Sequence, residues 1–152
     1  MAGTGHIALK MMATRESVAV EDYLEKILEL IDTKGYARVA DIAEGLGIAQ
    51  PSVSNMMQRL DEKGLVDYEK YRGMTLTQEG EKVARRIIKR HGLLEEFLDL
   101  VGIERATAYN DLEGMEHHIS QQTLRAIEQM VVELKGDREM RERVRAAAAG
   151  GS

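Results

Sequence analysis

The sequence predicts a mainly α protein: an N-terminal winged helix-turn-helix with a small β-hairpin wing, followed by an all-α domain. Three observations carry this expectation. Apolar residues recur at helical spacing along most of the 152-residue chain, which holds a single proline. Two short apolar stripes between Val39 and Leu60 flank a glycine turn. A short alternating run with a turn inside it comes directly afterwards.

The elements follow in order. From Val18 to Lys34, Val20, Tyr23, Leu24, Ile27, Leu28 and Ile31 make one stripe, and Gly35 stops the helix. Val39, Ile42, Ala43 and Leu46 line a short second helix. Gly47 suits the tight turn, where positive φ is needed, and Ile48 is expected to plug the corner. Gln50 is read as the cap of a third helix, with Pro51 in its first turn and Val53, Met56, Met57 and Leu60 buried. Val66, Tyr68, Met74 and Leu76 alternate as a hairpin with Lys70-Tyr71-Arg72-Gly73 at its tip. Thr77 caps a long helix from Gln78 to Val101, with Val83, Ala84, Ile87, Ile88, Leu94, Phe97 and Leu98 as core candidates; Gly102 ends it. A short helix is expected from Glu104 to His118, another from the Ser120 cap to Leu134, and a fraying one after Gly136. Residues 1–15, His6 among them, read as a flexible leader or expression remnant; residues 16–77 as the winged helix-turn-helix; residues 78–149 as the helical domain.

Composition narrows the function. The absence of cysteine excludes disulfides, iron–sulfur clusters, thiolate zinc sites and cysteine nucleophiles. No apolar run approaches the roughly 18 residues of a membrane span. A net charge of -5 argues by itself against nucleic-acid binding. Its distribution argues differently. Residues 50–91 carry nine Lys/Arg against six Asp/Glu, and residues 92–119 carry one against seven. A basic segment followed by an acidic one suits anion contact first and cation binding second.

The third helix presents Gln50, Ser52, Ser54, Asn55, Gln58 and Arg59 outward. Ser52, Ser54, Asn55 and Gln58 can read base edges, while Arg59, Lys63, Lys70 and Arg72 suit phosphate; Tyr71 and Gln50 complete the candidate DNA-binding set. On the acidic side, Glu113, Glu116 and His117 stand at i, i+3 and i+4, on one helical face. Asp22 and Glu25 stand at i, i+3 on the first helix, and His91 interrupts the long one. Taken singly, Asp22 and Glu25 read more readily as solvated surface and His91 as a surface or partner-bonded histidine, and His118 turns away from His117. If the three helices converge, four carboxylates and two imidazoles meet, more than one ion needs. Two ions sharing carboxylates fit that set, and oxygen and nitrogen donors without sulfur favour Mn²⁺ or Fe²⁺. There is no Glu-x-x-His pair, His-Glu-x-x-His, phosphate loop or nucleophile elbow, so no enzyme is expected.

The stretches KGYARVADIAEGLGIAQPSVSNMMQRLDEKGLVDYEKYRGMTLT, RHGLLEEFL and YNDLEGMEHHIS make the chain recognisable. From Val20 to Leu134 it resembles the diphtheria toxin repressor family of metal-dependent transcriptional regulators, its manganese transport branch most of all. The resemblance implies a dinuclear site on Asp22, Glu25, His91, Glu113, Glu116 and His117. Iron-responsive relatives often carry a sulfur-bearing residue where Glu113 stands; a carboxylate there matches the manganese branch. It further implies two Mn²⁺ per subunit, with Fe²⁺, Co²⁺, Cd²⁺ or Zn²⁺ as substitutes, and an all-α dimerisation domain. The implied partners are double-stranded operator DNA and a second copy of the chain, with neither membrane nor small-molecule substrate. A cytoplasmic repressor of manganese uptake genes is the resulting expectation. An Fe²⁺-responsive member of the family, or a winged-helix repressor responding to a small organic ligand, stays open as the alternative.

Overall fold

The computed structural model describes the backbone of residues 3–150 and the side chains of residues 17–150. The leader expected at residues 1–15, and His6 within it, lie outside the residues whose side chains are described. Seven helices and one two-stranded antiparallel sheet appear among the described residues. The chain divides into two units, one ending at Ile87 and the other beginning at Ile88.

In the first unit, α1 (Gly3–Lys34) begins well before Val18, the start that the sequence predicts. The stripe marks the part of the helix that faces a core, not its first turn. Leu24, Ile27 and Leu28 are fully buried in that core, each such side chain contributing about 2 kcal/mol. Gly35, at φ 81°, ends the helix, its N–H bonding to the Ile31 carbonyl. α2 (Val39–Leu46) closes on Gly47, a left-handed residue at φ 65° whose N–H returns to Ala43 and Glu44. α3 (Gln50–Glu62) buries Val53, Met56, Met57 and Leu60, a strict i, i+3, i+4, i+7 stripe. Its cap is Ala49 rather than Gln50, which already has helical backbone, and no side chain bonds the first N–H groups. Ile48 does not plug the corner; it is 36% exposed.

β1 (Val66–Glu69) pairs antiparallel with β2 (Gly73–Leu76), Val66 opposite Leu76 and Tyr68 opposite Met74. Ala37 bridges to Met74, so the segment between α1 and α2 lies along the hairpin. Thr77 caps α4 (Gln78–Leu100): its hydroxyl accepts from Gly80 N–H at 3.0 Å and donates to the Gly64 carbonyl at 2.7 Å. Ala84 and Ile87 of α4 belong to the first core. For that reason the division between units falls inside α4, ten residues beyond the boundary expected at 77/78.

The second core gathers Leu94, Leu98 and Leu100 of α4, Leu112 of α5 (Arg105–Met115), and Ile127, Val131 and Leu134 of α6 (Gln121–Gly136). Ile88, expected inside, is 39% exposed, because helical spacing assigns a face and not a depth. Ser120 caps α6 through Thr123 N–H, as expected. α7 (Arg138–Ala149) is capped by Asp137 and packs Met140 and Val144 on the core. Its Arg145 donates to the carbonyls of Leu100 at 3.0 Å and Asp99 at 2.6 Å, capping the end of α4.

Candidate functional site

α5 ends at Met115, three residues short of the expected end, and Glu116 is its C-cap. Glu116 keeps helical dihedrals (φ -62°, ψ -29°) and its N–H still reaches the Leu112 carbonyl. The helical spacing therefore survives into the turn. One ligand atom each from Glu113, Glu116 and His117 lies within 4.8 Å of the others. Glu116 is 4% exposed, a buried carboxylate. Its Oε2 lies 2.8 Å from His91 Nδ1, and its Oε1 lies 3.3 Å from His117 Nε2. Burying a carboxylate is costly unless it is paired or ligates a cation, and here both oxygens face imidazole nitrogens.

The donor set fits a divalent cation. Separations up to 4.8 Å can be spanned by two ligand–ion bonds of about 2.0–2.6 Å. Oxygen and imidazole nitrogen without sulfur suit the harder divalent ions. Of the six expected ligands, His91, Glu113, Glu116 and His117 belong to the second unit, and the distances above link them. Asp22, exposed, and Glu25, half-buried, lie one turn apart on α1 of the first unit. His118 is exposed. Between Asp22 and Glu25 on α1 sits Tyr23, buried in the first core. Burial raises its hydroxyl above the ordinary phenol range, with the Arg59 charge pulling the other way. The second unit also holds a cavity of about 610 Å³ beside His91, lined by Glu95, Asp99, Arg105 and Tyr109 among others.

On the first unit, α3 exposes Gln50, Ser52, Asn55, Gln58 and Arg59; Ser54 is half-buried. Lys63 is exposed at the C-cap of the helix. Lys70, Tyr71 and Arg72 are exposed at the hairpin tip, where Arg72 pairs with Glu69 at 3.4 Å. Tyr71 is 93% exposed and sits at φ 71°, a backbone region that costs a non-glycine residue energy. A groove of about 250 Å³ runs between α3 and the hairpin, lined by Arg38, Gln50, Ser54, Tyr68, Lys70 and Tyr71 among others. Arg38 was absent from the sequence-based candidates. The pattern Tyr36-Ala37-Arg38, an alternating run just ahead of α2, was the signal that could have found it.

A winged helix-turn-helix joined to a helical unit with a carboxylate–imidazole cluster defines a metal-dependent DNA-binding regulator. Residues 17–74 match the family described as "Iron dependent repressor, N-terminal DNA binding domain". Residues 77–144 match "Iron dependent repressor, metal binding and dimerisation domain". The chain belongs to this family, the iron-dependent repressors, and is a metal-dependent transcriptional repressor. It is 50% identical over 113 residues to the HTH-type transcriptional regulator MntR of Lysinibacillus sphaericus (strain C3-41), covering 74% of this chain and 81% of that protein. Among solved structures, IdeR of T. acidophilum is 29% identical with a TM-score of 0.63, over 77% of this chain and 54% of that one. The manganese regulator SloR is 28% identical with a TM-score of 0.63, over 74% and 53%. The chain thus spans about half the length of these two structures. A hypothetical protein of Sulfolobus solfataricus, SSo2273, is 28% identical with a TM-score of 0.59, over 73% and 85%. No helix among the described residues is long and apolar enough to cross a membrane.

Proposed function

We propose that this repressor responds to manganese, with two Mn²⁺ per subunit held by Asp22, Glu25, His91, Glu113, Glu116 and His117. It acts as a cytoplasmic homodimer on double-stranded operator DNA and switches off manganese uptake genes. The observation that carries the reading is the cluster of Glu113, Glu116 and His117, with His91 on the buried Glu116 carboxylate. The sulfur-free donor set supports manganese over softer ions. The likeness to MntR and to SloR, whose structure is described as that of a manganese regulator, points the same way.

When bound, a divalent cation supplies the positive charge that lets carboxylates stand together. The chain's own residues do the rest. Glu116 orients the rings of His91 and His117 through its two oxygens. Asp22 and Glu25 would bring α1 of the DNA-binding unit into the same ligand set. Ligands drawn from both units would tie the DNA-binding unit to the dimerisation unit and so fix the spacing of the two α3 helices in the dimer. That spacing matches two half-sites on a duplex. Gln50, Ser52, Ser54, Asn55 and Gln58 face the bases, while Arg59, Lys63, Lys70, Tyr71 and Arg72 engage the backbone.

Titrating DNA in chelator-treated buffer, with and without Mn²⁺, tests this. Mn²⁺ should tighten binding by about 5–150-fold, the usual size of an allosteric coupling. Equal affinity in both buffers would sink the corepressor role. His91→Ala, at a half-exposed position, should keep its circular dichroism and lose the Mn²⁺ response. Two other readings have an observation behind them. The family's iron-based description favours Fe²⁺, decided by the same titration under anaerobic Fe²⁺. The cavity beside His91, about 610 Å³, is of a size that holds an organic ligand. Calorimetry without Mn²⁺ uptake near two per subunit would favour that ligand.

A further inference from the structure

We infer that Arg38, stacked on Tyr36, is a DNA-backbone contact, and that with Lys70 it makes a phosphate-binding groove between the start of α3 and the hairpin. The inference rests on the DNA-binding role proposed for α3 and extends it to a segment outside both helix and wing.

The groove is electropositive by construction. No Asp or Glu lines it, in a chain whose net charge is -5. Its two cations rest on tyrosine rings rather than on carboxylates. Arg38 Cζ lies 4.9 Å from the Tyr36 centroid and Lys70 Nζ lies 5.3 Å from that of Tyr71. Neither makes an ion pair among the described residues. Other cations of the same unit are occupied: Lys26 by Glu29, Lys34 by Asp41, Arg72 by Glu69, and Arg85 by Glu81. A guanidinium lying on a ring is held in place while its N–H edge stays free for phosphate oxygens.

The fold holds Arg38 there. Met74 N–H donates to the Ala37 carbonyl at 3.2 Å, which fastens the segment ahead of α2 to the hairpin. Gly73 makes this approach possible: at φ 111°, a Cβ there would lie 2.9 Å from the Ala37 oxygen. Arg38 stands just before α2, not on α3. In a helix-turn-helix the first helix crosses the backbone while the second reads bases. Phosphate, rather than a base edge, is the chemistry this position meets.

The test uses the Mn²⁺-loaded full chain and two duplexes. One is selected by the wild type from a random-sequence pool, and the other is an unselected random duplex. Arg38→Ala should weaken binding to both by the same factor. It should also make the slope of log K against log salt shallower by about 0.9 per subunit, about 1.8 for the dimer. Arg38→Lys should recover most of the slope, and Tyr36→Leu should lower affinity with the charge intact. Wild-type affinity and slope in Arg38→Ala would overturn the inference and leave the proposed function standing. Loss confined to the selected duplex would overturn it too, since that signals base reading. Failure of the wild type to enrich any duplex from the pool, or to bind the unselected one, would overturn the inference and the DNA-binding role together.

Discussion

A Cβ built on Gly80 would fall 1.8 Å from the Leu65 carbonyl oxygen, far inside van der Waals contact. That carbonyl also accepts from Thr77 N–H at 3.1 Å, so it cannot turn aside without loosening the α4 cap. Gly80→Ala should therefore destabilise the fold by on the order of 3 kcal/mol despite the better helix propensity of alanine. A drop in the urea midpoint measures it, and an unchanged midpoint would show that α4 can shift freely. Nothing local in the sequence marks this glycine, because the clash comes from a residue fifteen positions earlier across a turn. Glu116 is similar. Its spacing from Glu113 and His117 was legible, since i, i+3 and i+4 share a helical face. Its burial, and its pairing with His91 twenty-five positions away, depend on how α4 and α5 pack. Ile48 and Ile88 were misjudged for a related reason: an apolar residue on the right face can still lie at its edge.

Elements were more legible than their ends. The stripes of α2 and α3, the positive φ of Gly47 and the presence of the hairpin all follow from periodicity and turn chemistry, although Gly73, expected at the tip, pairs with Glu69 as the first residue of β2. The ends depend on which group satisfies the last backbone N–H and C=O, which tertiary contacts decide. The end of α4 illustrates this. Gly102 at φ 85° turns the chain, and Arg145, from α7, bonds the Leu100 and Asp99 carbonyls. A Cβ on Gly102 would sit 3.0 Å from Arg145 Cγ, so the glycine serves both the turn and the arginine's approach. Arg145→Ala should cost about 1 kcal/mol, the worth of a hydrogen bond at a partly exposed site. Amide exchange should quicken in the last turn of α4 and around Gly102. Protection identical to wild type would mean that water replaces the arginine without loss.

At the scale of the whole molecule, the basic segment at 50–91 and the acidic one at 92–119 correspond to two kinds of partner, one anionic and one cationic. The proposed ligands are divided between units: Asp22 and Glu25 belong to the first, and the other four to the second. A cation that needs both sets, and a duplex that needs one spacing of α3, then favour the same arrangement of the chain. Linkage makes this coupling reciprocal. If Mn²⁺ tightens DNA binding by some factor, the duplex must tighten Mn²⁺ binding by that factor per coupled event. Competition titrations with a metal-binding dye, in the presence and absence of saturating duplex, measure the second factor independently. The two should agree, and Glu25→Gln should reduce both together, because it removes a charge from the unit that carries α3. Glu113→Gln offers the contrast of a ligand lost from the other unit, with the same joint reduction expected. Equal Mn²⁺ affinity with and without duplex would show that the metal and DNA sites are uncoupled at equilibrium, and would sink the corepressor role.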